Sequence, residues 1–198
     1  MLKYTLILAV TSLMLGCEQS STHKTLADSL HMADTALKTI SPARMIVPGK
    51  RIGLISINEN ADSVILKLGK PARADAAMGA SMMTWFIKRK KHTYQTSIYA
   101  HRNMGGADEA VSHVKEIRVT SPWYKTADYS GAGSALKDIK KLYKLVMRPV
   151  SNPNIKKLSL YDDYGAGIGF EVDSTGKCTA VLVHAEGDSS VTYIDMHQ

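Results

Sequence analysis

The feature that most constrains the fold of this chain is an internal repeat with an offset of 75 residues. Two segments carry apolar residues at the spacing of one helix face, and the offset superposes Ala61, Val64 and Leu68 on Leu136, Ile139 and Tyr143. Asn58 and Ser134 are the expected N-caps, and Gly69 ends the first helix. A repeat of this length predicts one supersecondary unit that occurs twice and buries a shared core.

Each helical segment is followed by three segments with the alternating pattern of half-buried strands. They are residues 83–88, 96–101 and 114–119 in the first copy, and residues 158–161, 168–172 and 178–184 in the second. The sequence therefore predicts an α+β fold of tandem helix-plus-three-strand repeats, with an antiparallel sheet backed by helices on one face. A chain of about 150 residues is long enough to bury one such core.

The first sixteen residues have the composition of an export signal. Lys3 precedes an apolar run, residues 4–15, that is shorter than the roughly 20 residues a membrane-spanning helix needs. Residues 13–17 (Leu-Met-Leu-Gly-Cys) then resemble the lipobox of bacterial lipoproteins. The resemblance implies cleavage after Gly16 and a covalent lipid on Cys17, which anchors an exported protein to the cell envelope, here the outer membrane. The alternative is an ordinary secretory signal that a cysteine happens to follow.

These patterns divide the chain into four parts. A lipoprotein signal peptide occupies residues 1–16, and residues 17–49 contain the lipidated cysteine, a polar Ser/Thr-rich tether and a short amphipathic helix. The first repeat spans residues 50–123 and the second spans residues 124–198.

Charge and cysteine content narrow the possible partners. The chain has 25 Lys and Arg against 18 Asp and Glu, a formal charge of +7, without the arginine-rich or basic-aromatic pattern of nucleic-acid binding. We therefore expect no nucleic acid partner, and instead the membrane and an acidic envelope protein or polymer. With Cys17 lipidated, Cys178 has no disulfide partner and is expected to be a small buried apolar side chain. Apart from the lipid, no cofactor is expected.

Two short segments are candidate partner contacts: the basic Lys88, Arg89, Lys90 and Lys91, and the aromatic Trp123 and Tyr124. The basic segment is either a solvated hairpin tip or a contact with an anionic surface. The aromatic pair lies in the connector between the repeats, where it either contacts a partner or seals the seam between the two copies.

No catalytic or metal site is predicted. The seven histidines lack the spacing of known metal motifs, although His92 and His101 are expected to face each other across a hairpin, with His113 beside His101. Asp162 and Asp163 are assigned to a turn, in which adjacent side chains point apart. The chain also lacks the Gly-x-Ser-x-Gly elbow of many serine hydrolases.

The first copy resembles a known module. A helix with Val64 and Leu68 that ends at Gly69 before Pro71, followed by a strand that contains Trp85 and Phe86, is similar to the BamE/SmpA-type module of outer-membrane assembly lipoproteins. The secreted β-lactamase-inhibitory proteins resemble a tandem of such modules. The motif residues are structural, so the resemblance implies a fold and no particular contact residue.

The sequence thus predicts a membrane-anchored envelope lipoprotein that acts as a non-catalytic binding module through its sheet face. The alternatives are an envelope hydrolase or metal-dependent enzyme with an unrecognised site, and a carrier of a small ligand. An aromatic open sheet face would favour binding. A cleft with clustered Asp, His or Ser would favour an enzyme, and an enclosed apolar cavity would favour a carrier.

Overall fold

The structure is a computed structural model that describes residues 39–148, residues 158–188 and Met196. The signal sequence, Cys17, the tether and nearly all of the amphipathic helix that follows it lie outside the described residues. The chain divides into the units Met1–Thr39 and Ile40–Gln198, and every element below belongs to the second unit. The predicted boundaries at residues 49 and 123 stay predictions.

The first part of the described chain contains a 3₁₀ turn, seven strands and a helix. In chain order they are the turn Pro42–Arg44, β1 (Met45–Val47), β2 (Arg51–Ile52), β3 (Ile55–Ser56), α1 (Ala61–Leu68), β4 (Arg73–Ala77), β5 (Ala80–Arg89), β6 (His92–Arg102) and β7 (Ser112–Val119). The second part adds β8 (Lys125–Thr126), α2 (Leu136–Ile139), β9 (Val146–Arg148), β10 (Leu158–Asp163), β11 (Ile168–Asp173) and β12 (Cys178–His184).

The strands form two sheets. The larger is antiparallel, with eight described strands in the order β4-β5-β6-β7-β12-β11-β10-β9, and the smaller has the order β3-β2-β1-β8. The two halves of the larger sheet meet where β7 pairs with β12, and Arg118 lies opposite Leu182 in that pairing.

The two helices make corresponding backbone bridges, one in each half of the described chain. Asn60, immediately before α1, forms a bridge with His113 at the start of β7, and Ala135, immediately before α2, forms a bridge with Lys177 before β12. Asn60 and Ala135 are 75 residues apart, the offset found in the sequence. Each helix is therefore attached in the same way to the last strand of its own half.

The apolar core lies on one face of the large sheet. Strand residues such as Ile98, Ile117, Phe170 and Val183 are fully buried there. The same cluster includes buried side chains from both helices and from the small sheet: Ala61 and Val64 of α1, Ile139 of α2, and Ile46, Ile52 and Ile55 of β1–β3. The small sheet and the helices therefore both cover this face of the large sheet.

The predicted fold class is wrong. Strands make up 48% of the structure and helices 11%, in two sheets, so this is a mostly β protein and not a helix-backed α+β repeat. The six predicted strands all lie within β5, β6, β7, β10, β11 and β12, but each half contributes a fourth strand to the sheet, and α2 is a single turn. Helices this short leave most of the face to be covered by other elements.

The missed strand β4 shows why the pattern failed. Residues 73–77 (Arg-Ala-Asp-Ala-Ala) are all exposed and contain no β-branched or aromatic side chain, so they carry no strand signal. They form a strand because the turn at Met78 and Gly79, with φ of 51° and 80°, folds them back onto β5. Positive φ at both positions matches the twist of a two-residue hairpin, but methionine rarely adopts it.

The expected N-caps are also wrong. Asn60 caps α1, and its side chain accepts a hydrogen bond from the Asp62 amide at 2.8 Å. Asn58 instead adopts φ 63° and donates its amide to Val114. Ser134 accepts a hydrogen bond from the Gly131 amide, and the cap position of α2 is Ala135.

We predict that Ile139→Ala destabilises the fold by about 2–5 kcal/mol, because the truncation leaves a cavity beneath α2. Ile139→Val should cost only about 0.5–1.5 kcal/mol. Leu142→Ala is the control, since Leu142 is 50% exposed and follows the same helix. Urea denaturation followed by circular dichroism measures all three. Equal midpoints for the two alanine variants would show that α2 does not anchor the core.

Candidate functional site

An open groove lies at the outer end of the β5–β6 hairpin, between the hairpin and the connector that follows β7. Its widest part encloses about 590 Å³ and is lined by Arg89, Lys90, His92, Tyr94, Ser121, Pro122 and Trp123. Two adjoining pockets, of about 210 and 290 Å³, continue it past Ile87 and Tyr124 to the end of α1 at Leu68 and Lys70. We call this continuous surface the Trp123 groove.

Two guanidinium groups lie over the Trp123 indole. The Arg44 Cζ atom lies 3.7 Å from the centre of the indole ring, and the Arg89 Cζ atom lies 4.8 Å from it. Such cation–π contacts contribute about 0.5–1 kcal/mol each at exposed sites. Through these contacts the β5–β6 hairpin (Arg89) and the 3₁₀ turn before β1 (Arg44) both pack against the connector that carries Trp123. The indole nevertheless remains 42% exposed.

The groove is basic as well as aromatic. Lys70, Arg89 and Lys90 line it together with His92, and none of the residues that line the three pockets is Asp or Glu. The charge is therefore not balanced within the groove. An anionic group that approaches the groove is attracted by the basic side chains and meets no acidic side chain in the lining that would repel it.

The structure brings most of the candidate contact residues together. Arg89, Lys90, Trp123 and Tyr124 all line the groove, whereas Lys88 and Lys91 are exposed but do not line it. Lys90 and Lys91 form the two-residue turn, since Arg89 pairs with His92. Whether these residues contact a partner stays a prediction.

Trp123 and Tyr124 differ in their surroundings, so the two roles considered from the sequence, partner contact and internal packing, fall to different residues. Tyr124 is partly buried and packs against the apolar core, and burial raises the pKa of its hydroxyl. Trp123 faces the groove. The groove lies on the helix-bearing side of the sheet, beside Trp85 and Thr96, and not on the opposite face that the sequence favoured.

That opposite face carries a cluster of charged side chains that the sequence analysis missed. Arg118 makes a two-pronged ion pair with Glu171, with nitrogen–oxygen distances of 2.8 and 2.7 Å. It also donates to the Gln95 amide oxygen, and the Gln95 amide nitrogen donates to the Met196 carbonyl. Both members of the ion pair are buried. Alternation identified these residues as the polar side of each strand, but it could not indicate that this side is buried.

A second buried pair joins β10 to β12. The His184 Nε2 atom lies 3.0 Å from a carboxylate oxygen of Asp162, and both side chains are fully buried. Burial by itself lowers the pKa of His184, but the hydrogen bond and the charge of Asp162 outweigh it, so that the pKa is raised. Asp162 and Asp163 belong to β10 and not to a turn as predicted. Asp163 accepts hydrogen bonds from the Lys144 and Ala166 amides.

Glu116 lies opposite His184 across the β7–β12 pairing. Its side chain is fully buried, and neither carboxyl oxygen has a hydrogen-bond partner among the described residues. Burial, followed by the negative charges of Glu171 and Asp162, raises the pKa of this carboxyl well above its usual range. Clustered groups with shifted pKa values often mark active sites. In this protein the clustered groups are buried and pair with one another, as Arg118 does with Glu171 and His184 does with Asp162. They therefore form a polar layer inside the fold.

The other residues considered for metal binding or reactivity are the histidines and Cys178. His101 lies opposite His113 as expected, but His92 is at the other end of the same strand and does not face His101. Among the described residues, no group of three or more His, Cys, Asp or Glu side chains is placed to hold a metal ion. Cys178 is buried as predicted, and burial raises the pKa of its thiol to about 12. It is therefore protonated at neutral pH.

Comparison with known proteins adds no family to these observations. No protein-family model, no curated protein and no solved structure matches the chain. The resemblance to lipoproteins and to BamE/SmpA-type modules therefore stays a prediction. Within the described part of the chain, no helix has the length and apolarity needed to cross a membrane.

We predict that stability falls with rising pH because of Glu116. The folded protein holds this proton more tightly than the unfolded chain, so the contribution of the group is fully present below about pH 4.5. It is lost at up to about 1.4 kcal/mol per pH unit as the pH rises toward the folded pKa. The free energy of unfolding of Glu116→Gln should therefore equal that of the parent protein below about pH 4.5. At higher pH the variant should be the more stable of the two proteins.

The measurement is urea denaturation from pH 4 to pH 8, with the exposed Glu109→Gln as the control. The raised pKa of His184 contributes a slope of the same sign in every variant. Only the difference between parent and Glu116→Gln thus reports Glu116. A difference that does not change with pH would contradict the assignment.

Proposed function

We propose that this protein is a membrane-anchored lipoprotein of the bacterial envelope that acts as a non-catalytic binding module for an envelope protein or polymer. The observation that carries the proposal is the Trp123 groove, an open basic and aromatic surface. Trp and Arg are enriched among the residues that dominate binding energy. The alternative, an envelope hydrolase or metal-dependent enzyme, needs acid–base groups that meet a substrate, whereas Asp162 and His184 are fully buried.

Anchoring is supported by the N-terminal sequence. The short apolar run ends in Gly16 and Cys17, as in a lipobox, and two or more acyl chains hold a protein stably on a bilayer. A lipid anchor keeps the protein at a membrane, which favours partners within the envelope.

We predict that Cys17→Ser abolishes lipidation. Without the thiol no diacylglycerol can be attached, so the product should stay an uncleaved precursor that incorporates no radiolabelled palmitate. Cys178→Ala is the matched control, because it removes the other cysteine and leaves the lipobox intact. Normal cleavage of the serine variant, with release of soluble protein, would contradict the anchoring part of the proposal.

We further predict that a photocrosslinker in the groove captures an envelope component in intact cells. p-Benzoyl-phenylalanine placed at Trp123 should form a discrete adduct on illumination. The same group placed at Tyr129, which is 50% exposed outside the groove, should not. Adduct formation at both positions, or at neither, would contradict the proposal that the groove is the binding site. Gel mobility and mass spectrometry identify the adduct.

A further inference from the structure

We propose that the occupant of the Trp123 groove is an extended acidic polypeptide segment that carries apolar side chains between carboxylates. This inference rests on the proposed function and names the chemical class of its partner. Three observations carry it: the shape of the groove, the charge of its lining and the way Trp123 is held.

The groove has the shape of a trough. Its three pockets share residues with their neighbours: Arg89 and Trp123 belong to the first and second, and Ile87 and Tyr124 to the second and third. From Trp85 to Arg89 it follows β5 for about 13 Å, at roughly 3.3 Å per residue. This length suits four or five residues of an extended chain and exceeds what a single small ligand would fill.

The lining combines two kinds of chemistry along that length. Apolar surface is provided by Ile87 (49% exposed) and Leu68 (38% exposed). Cationic side chains stand at both ends, with Lys70 at one end and Arg89 and Lys90 at the other. A peptide complements this lining if its apolar side chains cover the apolar surface and its carboxylates pair with the cationic side chains. A phosphate polymer has the charge but lacks the apolar part.

The contacts of Trp123 argue against a sugar as the occupant. Carbohydrates usually pack against an open face of an aromatic ring, but Arg44 and Arg89 lie over this indole at 3.7 and 4.8 Å. The exposed part of the indole, 42% of the residue, therefore lies beside guanidinium groups. That arrangement suits carboxylates, which pair with arginine through two parallel hydrogen bonds. A bilayer surface is also disfavoured, since it would not enter a concave trough.

The test is selection from a random octapeptide phage library on the immobilised full-length protein. Enriched peptides should contain more Asp and Glu than the library, interspersed with apolar residues. A synthetic copy of the most enriched peptide should bind about tenfold more weakly to Arg89→Ala/Lys90→Ala. Arg102→Ala/Lys137→Ala removes the same charges from exposed positions outside the groove and should leave affinity unchanged. Raising the salt concentration should weaken binding to the parent protein.

The inference is overturned if the selected peptides show no acidic excess, or if both double variants bind them equally. It is also overturned if phosphatidylglycerol vesicles bind the protein through Arg89 and Lys90 while the peptides do not. These outcomes leave the proposed function intact whenever the photocrosslinker at Trp123 still gives a discrete adduct in cells. Absence of that adduct, by contrast, removes the binding site itself.

Discussion

The pairing of β7 with β12 is the interaction on which the rest of the structure depends. It joins the two halves into one eight-stranded sheet, and the four central residue pairs give its two faces opposite chemistry. On one face Ile117 lies opposite Val183 in the apolar core. On the other, Glu116 lies opposite His184. Because both faces are buried here, the polar face must satisfy its charges internally, and a slip of one residue would move charges into the core.

The two buried pairs meet that requirement. Arg118 binds Glu171, and His184 binds Asp162, so each pair connects β11 or β10 to the centre of the sheet. Glu116 is the exception, because its buried carboxyl has no hydrogen-bond partner among the described residues and its pKa is raised well above the usual range. Breaking a buried ion pair leaves an uncompensated charge and is far more costly than breaking one at the surface. The charged layer therefore helps to specify one strand register, and the groove forms elsewhere, where the β5–β6 hairpin extends beyond the core.

The strands that alternate clearly could be predicted, and the elements without a local signal could not. Residues 168–172 place apolar side chains on one face, and β11 lies where that pattern indicates. By contrast, the exposed β4 is defined by its neighbour β5 and by a methionine at positive φ. The fold class was wrong for this reason: the helix pattern extended through Tyr143, but α2 ends at Ile139. The small sheet, made of strands of two or three residues, covers part of the core instead.

The sequence by itself determined the period of the repeat, which side chains of each central strand share a face, and which residues are candidates for partner contact. Local spacing is enough for these, because alternation and helix periodicity are properties of neighbouring residues. Only the tertiary structure decided what covers each face and which distant residues meet. Arg44, Arg89 and Trp123 have no relation in sequence, and they form one site because the hairpin, the 3₁₀ turn and the connector end at the same place. Contacts of this kind depend on how elements pack, which no local pattern encodes.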